Sequence, residues 1–247
     1  MPAAPGATLL EVVNTVAKSV GHPSTTSVPG SQDEAILRLG FYANLACTEL
    51  LYMCNWQELS QSVELLISGT PLEREKAFNL PVDFGAMTDD TQWNRSTQLP
   101  AIGPINAQDW QWLVVRDAMV TTRFMWRIRG NLLWVKSPPV DPQPLSFEYL
   151  SKYWARDGNT DAGMDAMVAN NDYHVYPPQL VVLYTRVKWF ENEGYDASAA
   201  MVDFQKAFNW YSGIDKGATA LSLVPGVGYP YINAIRNIPD TGYGSAY

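Results

Sequence analysis

The chain is poor in the residues that most catalytic chemistry uses. It has two histidines in 247 residues, His22 and His174, far apart and with no cysteine near either. That excludes the ligand spacing of a zinc centre. Its two cysteines, Cys47 and Cys54, sit seven residues apart in a helical pattern. Two helical turns separate them by about 10 Å along the axis, too far for a disulfide. They read as small buried apolar residues in a reducing cytoplasm. No Gly-x-Ser-x-Gly elbow, Walker loop or His-Glu-x-x-His pair occurs. Gly226-Val227-Gly228 is flanked by prolines and lacks the helix and acid of a dinucleotide turn. No cofactor and no metal are therefore expected. Long apolar runs are missing too, so no membrane span is expected. Pro2 and Pro5 open the chain and Glu11 interrupts its first apolar stretch, so the reading is assembly in the cytoplasm without a leader.

Cations are also scarce. Seventeen Lys and Arg stand against 25 Asp and Glu, a net charge of -8 and a pI near 4.7. Wrapping or sequence-specific nucleic-acid binding needs a basic face and is disfavoured. A wall that DNA passes without adhering is not. What the chain does have is apolar and aromatic surface: 47% hydrophobic residues, nine Trp and thirteen Tyr. That suffices for a sizeable core, and large amphipathic rings serve either cores or interfaces.

Two amphipathic helices open the chain. Thr8 and Glu11 have capping-box spacing before a stripe of Leu9, Val12, Val13, Val16 and Val20, which Gly21 and Pro23 stop. A second box, Ser31 with Glu34, predicts a helix to about Trp56. Pro177 and Pro178 start a third helix that runs to Glu193 and stops at Gly194. Asp196 caps a fourth, whose stripe of Ala200, Phe204, Ala207 and Tyr211 lasts to Gly213.

Between the pairs the period changes. Val63–Ile67 reads as a strand. Leu80-Pro81-Val82-Asp83-Phe84 cannot be helix interior. A short helix is expected from Asn106 to Asp117, with Trp110 inside it. From Thr121 to Arg129, Phe124, Trp126 and Ile128 point one way and Met125, Arg127 and Arg129 the other. Gly130-Asn131 turns this strand into Leu132–Lys136, and Ser146–Trp154 is a further strand. The fold class is α+β: a four-helix body (1–61 with 177–222), a β-rich insertion (62–176) and an extended Gly/Pro/Tyr-rich tail (223–247).

Three segments imitate functional sites. Asp157-Gly158-Asn159-Thr160-Asp161 begins like a calcium loop, but its glycine comes late at Gly163, and Val168 stands where the bidentate Glu belongs. It reads as a polar hairpin loop. Asp83, Asp89 and Asp90 could pair as glycan-hydrolase acids, though acids in turns usually serve as caps. Arg123, Arg127, Arg129 and Lys136 cluster on the hairpin, either to meet an acidic ring or DNA, or as a solvated strand face.

The order of these elements carries a resemblance. The elements are Trp56, Leu80 to Phe84, Trp93, Gly103-Pro104-Ile105 with Trp110, Arg127-Ile128-Arg129 and Tyr149-Leu150-Ser151. In this order they resemble the head-to-tail adaptor (tail tubular, head-completion) proteins of short-tailed bacteriophages. The resemblance implies a virion protein at the head–tail junction, in a ring of about twelve copies with heterologous contacts. That ring docks on the portal protein, extends the DNA channel and seats the next tail component. It implies no enzyme. Tail residues Tyr229, Tyr231, Ile232, Ile235, Arg236, Tyr243 and Tyr247 become candidate portal contacts. Trp93, Trp110, Arg127 and Arg129 become candidate contacts to neighbouring subunits or the tail. The alternatives are a tail-associated cell-wall hydrolase and another head or tail structural role.

Overall fold

The computed structural model describes residues 6–70, 72–115 and 123–215. They form a mixed helix-and-sheet, α+β chain. The helices are α1 (Leu9–Ser19), α2 (Glu34–Met53), α3 (Ala107–Val115), α4 (Pro178–Glu193) and α5 (Ser198–Asp215). The strands run in order β1 (Ser60–Ile67), β2 (Glu75–Asn79), β3 (Phe84–Met87), β4 (Trp93–Asn94), β5 (Leu99–Pro100), β6 (Met125–Arg129), β7 (Leu132–Lys136), β8 (Gln143–Ser151), β9 (Ala155–Arg156), β10 (Gly163–Met164) and β11 (Tyr173–His174).

The capping box of α1 is present. The Glu11 carboxylate accepts the Thr8 N–H at 2.9 Å, and the Thr8 hydroxyl accepts the Glu11 N–H. The expected box of α2 is not. Asp33 caps the helix instead, its carboxylate accepting the Ala35 N–H at 3.0 Å. The Ser31 hydroxyl serves the turn before it, accepting from the Asp33 N–H. The helix also ends earlier than its apolar pattern, at Met53. Cys54 is extended, and the Trp56 indole folds back to donate to the Leu50 carbonyl at 2.8 Å. That bond satisfies one of the carbonyls a helix end leaves open.

α1, α2, α4 and α5 bury their stripes in one core that includes Val16, Leu39, Leu50, Val181, Val187 and Phe204. Lys188 lies 2.7 Å from the Glu49 carboxylate, which also accepts the Tyr184 hydroxyl, so α4 is tied to α2 at a half-exposed point. Burial first, and then this carboxylate, pushes the Tyr184 phenol up to about 12.

A second core lies between two sheets. In the first, β1 pairs with β8 without a break from Ser60↔Leu150 to Ile67↔Gln143, and β4, β5 and β3 complete it. In the second, β7 is flanked by β2 and β6. Gly130 and Asn131, at φ +61 and +60, make the two-residue turn between β6 and β7, the left-handed pair such hairpins require. Alternation sorts the side chains. Val63, Leu65, Leu145 and Phe147 face Trp126, Ile128, Leu133 and Val135 across the sandwich. β1 extends three residues beyond the apolar run that marks it in the sequence, because polar Ser60, Gln61 and Ser62 find backbone partners on the nine-residue β8.

The segment expected to close the insertion behaves differently. Beyond β8, buried Trp154, Ala155, Met167 and Tyr176 join the helical core, not the sandwich. Asn44 of α2 anchors it: its amide accepts the Met167 N–H at 2.8 Å and donates to the Met167 carbonyl at 3.1 Å. The Asp172 carboxylate turns it, accepting the N–H groups of Val168 and Ala169. Asp157–Asp161 is a polar hairpin loop joining β9 to β10, with the Asp157 carboxylate accepting from Asn159 and Thr160 N–H. These bonds hold the Asp157 carboxyl below its usual range.

α1 meets β11 at this seam, where the Leu9 N–H donates to Asp172 O at 2.8 Å and Thr8 bridges Tyr173. The His174 ring is fully buried there, and its polar neighbour, the Tyr176 backbone, falls short of good hydrogen-bond geometry. Burial pushes its pKa down to about 4, opposed by the Tyr176 backbone and then by Glu11 of α1. The ring is neutral when folded and binds a proton near its ordinary 6.5 when unfolded. Its contribution is therefore complete above about pH 6.5 and is lost as pH falls toward about 4, by roughly 3 kcal/mol at most. Replacing His174→Phe should flatten that share of the acid dependence, read as urea midpoints between about pH 7 and about pH 4.

Candidate interaction surfaces

The sandwich separates the expected contact residues into distinct places. Trp93 on β4 stands opposite Ser146 of β8, which stands opposite Glu64 of β1. The three share the outer face of the first sheet. Glu148, opposite Ser62, lies on the same face. Trp93 is 42% exposed, and both carboxylates are exposed with no cation paired to them among the described residues.

Arg127 and Arg129 lie on the outer face of the second sheet, in register with Trp134 and Leu132. The Arg129 guanidinium rests 4.0 Å over the Trp134 ring, and the Arg127 guanidinium lies 5.6 Å from the centre of the Trp110 ring. Among the described residues no carboxylate pairs with either arginine. Lys136 departs from the expected cluster: it is buried, and its ammonium donates to the Ser137 hydroxyl at 3.0 Å. It is therefore not a contact cation.

Trp110 is also not a surface residue. α3 lays it against the second sheet, fully buried, and its indole N–H donates to the Glu75 carboxylate at 2.6 Å. Its ring belongs to the interior of the chain. The expected tail contacts Tyr229, Tyr231, Ile232, Ile235, Arg236, Tyr243 and Tyr247 lie outside the described residues.

The expected hydrolase acids do not share one place. Asp83 accepts the Tyr149 hydroxyl at 2.9 Å; burial first, and then this bond, raises that phenol to about 12. Asp83 lines a polar cavity of about 180 Å³ with Glu58 and Arg156. Asp89 and Asp90 are no part of that lining; they occupy the turn between β3 and β4, with Asp90 at φ +60. His22 packs edge-on to Trp189 at 5.4 Å. Among the described residues no group of three or more His, Cys, Asp or Glu could hold a metal, and no helix is long and apolar enough to cross a membrane. Both cysteines are free and buried, and burial pushes the Cys47 thiol up.

The helical faces hold surfaces that the stripes did not signal. On α2, Phe41 and Tyr52 are 63% and 81% exposed; on α5, Trp210 is 67% exposed. Leu37, Phe41, Leu45 and Tyr52 form a second helical row beside the buried one, and that spacing was the available signal. A cavity of about 270 Å³ opens between Trp56, Tyr176, Pro177, Tyr211 and Ile214, where Asp215 accepts the Gln57 N–H at 2.9 Å. No protein-family model matches the chain, and no curated protein matches it.

Since Trp110 is interior, Trp110→Ala should cost about 3–5 kcal/mol. It would also leave the Glu75 carboxylate without its indole donor. The thermal unfolding curve of the isolated chain should fall accordingly. An unchanged melt would contradict the packing of α3.

Proposed function

We propose that the chain is a structural virion protein, a head-to-tail adaptor subunit that docks on the portal ring, extends the DNA channel and seats the next tail component. The observation that carries this reading is the outer surface of the helical body. Phe41, Tyr52 and Trp210 present large rings to solvent on two different helices. Exposed apolar rows of this kind mark surfaces meant to be covered by other proteins. The ordered motifs that resemble phage adaptors agree with it, as does the net charge of -8. A channel wall of like charge lets DNA slide without adhering.

In this reading the four-helix body forms the ring of about twelve copies, with each subunit presenting unlike faces to its two neighbours. The β-rich insertion faces neighbours or the tail. The tail, 223–247, reaches the portal through its tyrosines and isoleucines.

Co-sedimentation of the purified chain with its own phage's portal ring, followed by electron microscopy, tests the proposal. The expected result is added density in a ring below the portal. A folded chain that never joins the portal would remove the adaptor reading. Deleting Leu223–Tyr247 should leave the fold and its melting temperature unchanged and abolish portal binding. Normal binding by the truncated chain would reassign the portal contact to another segment.

A further inference from the structure

The two sheets of the sandwich share one core, so their outer faces point in opposite directions. These two faces carry unpaired charge of opposite sign at their centres, with Arg95 at the margin of the first and Glu75, bound by the Trp110 indole, at the margin of the second. The outer face of the first sheet bears Glu64 and Glu148 beside exposed Trp93. By the strand register, the outer face of the second bears Arg127 and Arg129. Among the described residues neither pair has a partner of opposite sign, although the carboxylates sit in a chain with a surplus of acid and the arginines are among its few cations.

One subunit cannot join these charges, because its own core lies between them. A second copy can. We propose that the outer face of the first sheet, at Glu64, Glu148 and Trp93, receives the Arg127–Arg129 edge of the β6–β7 hairpin of a second copy of this chain. The inference rests on the proposed ring and names the faces by which neighbours meet. The complementarity is specific in chemistry. An arginine can pair with two carboxylates and stack its planar group on an indole, as Arg129 already does on Trp134. The margin of this face is also open, since β1 pairs with β8 on one side and with no described strand on the other. β1 carries no Lys, Arg, Pro or bulge that would keep a neighbour away. Because the two faces differ and point apart, the contact is heterologous, the kind from which a ring is built when its rotation closes.

The test uses sedimentation velocity of the full chain over a range of concentration and salt. Wild type should self-associate, and less tightly as salt rises. Glu64→Arg with Glu148→Arg, and separately Arg127→Glu with Arg129→Glu, should each weaken association by about tenfold or more while keeping the wild-type melt. Mixing the two variants should restore association, since each then offers a face complementary to the other. Arg127 packs over the buried Trp110, so Arg129→Glu alone repeats the basic-face arm if the double variant unfolds. Wild type that stays monomeric, charge-reversed variants that associate as tightly as wild type, or a mixture that recovers nothing would each overturn the proposal. The adaptor reading is tested apart from it. A chain that joins portal rings yet ignores these substitutions loses only this contact. A chain that self-associates through them and never binds a portal loses only the adaptor role.

Discussion

The edge-on contact of Trp56 with Tyr176, 5.5 Å between ring centres, holds the two ends of the insertion together. Helix α2 ends just before Trp56 and α4 begins just after Tyr176. About 120 residues lie between them, and closing so long a loop costs conformational entropy that local structure cannot recover. The aromatic contact is supported on both sides. Trp154 stacks on Tyr176 with centres 6.4 Å apart, and the Trp56 indole is held by the Leu50 carbonyl. With the ends fixed, α4 can lie on α2, and the sandwich can fold as a separate core without pulling the helices apart.

The polar groups buried at the same seam fix position more than they add stability. Asn44 makes two hydrogen bonds to Met167 and Asp172 accepts two backbone N–H groups, so a loop that would otherwise be free is set in one register. His174 is the exception, buried with no well-formed hydrogen bond to either ring nitrogen. A charged imidazole is costly there, so the seam is sensitive to acid. The isolated histidine acts as a packing ring with an inherent pH dependence.

The sandwich works differently, by sorting rather than anchoring. Strand alternation sends apolar side chains inward and leaves charge outside, and with two sheets back to back the outward charges cannot meet. Glu64 and Arg129 are thus kept apart by the core that stabilises both strands. The helical body adds a second kind of unfinished surface, the apolar row on α2 and the outer side of α5. Both kinds of surface are what the proposed assembly would cover.

Periodicity and turn chemistry alone determined the helices and the β6–β7 hairpin. A stripe at Leu9, Val12, Val13 and Val16, a proline start at α4 and Gly130-Asn131 are local signals, read within a few residues. The mixed α+β class followed from their order. Tertiary structure decided what depended on partners distant in sequence. Polar Ser60–Ser62 became strand because β8 was there to pair with them. Asp33, not Ser31, capped α2, because the helix begins where its packing against α1 and α4 allows. Trp110 was indistinguishable in sequence from an interface ring and proved interior because α3 folds onto the second sheet over Glu75. Lys136 looked like another surface cation and is buried beside Ser137. Trp93, Glu64 and Glu148 come from three separate strands, so only the register between those strands could set them on one face.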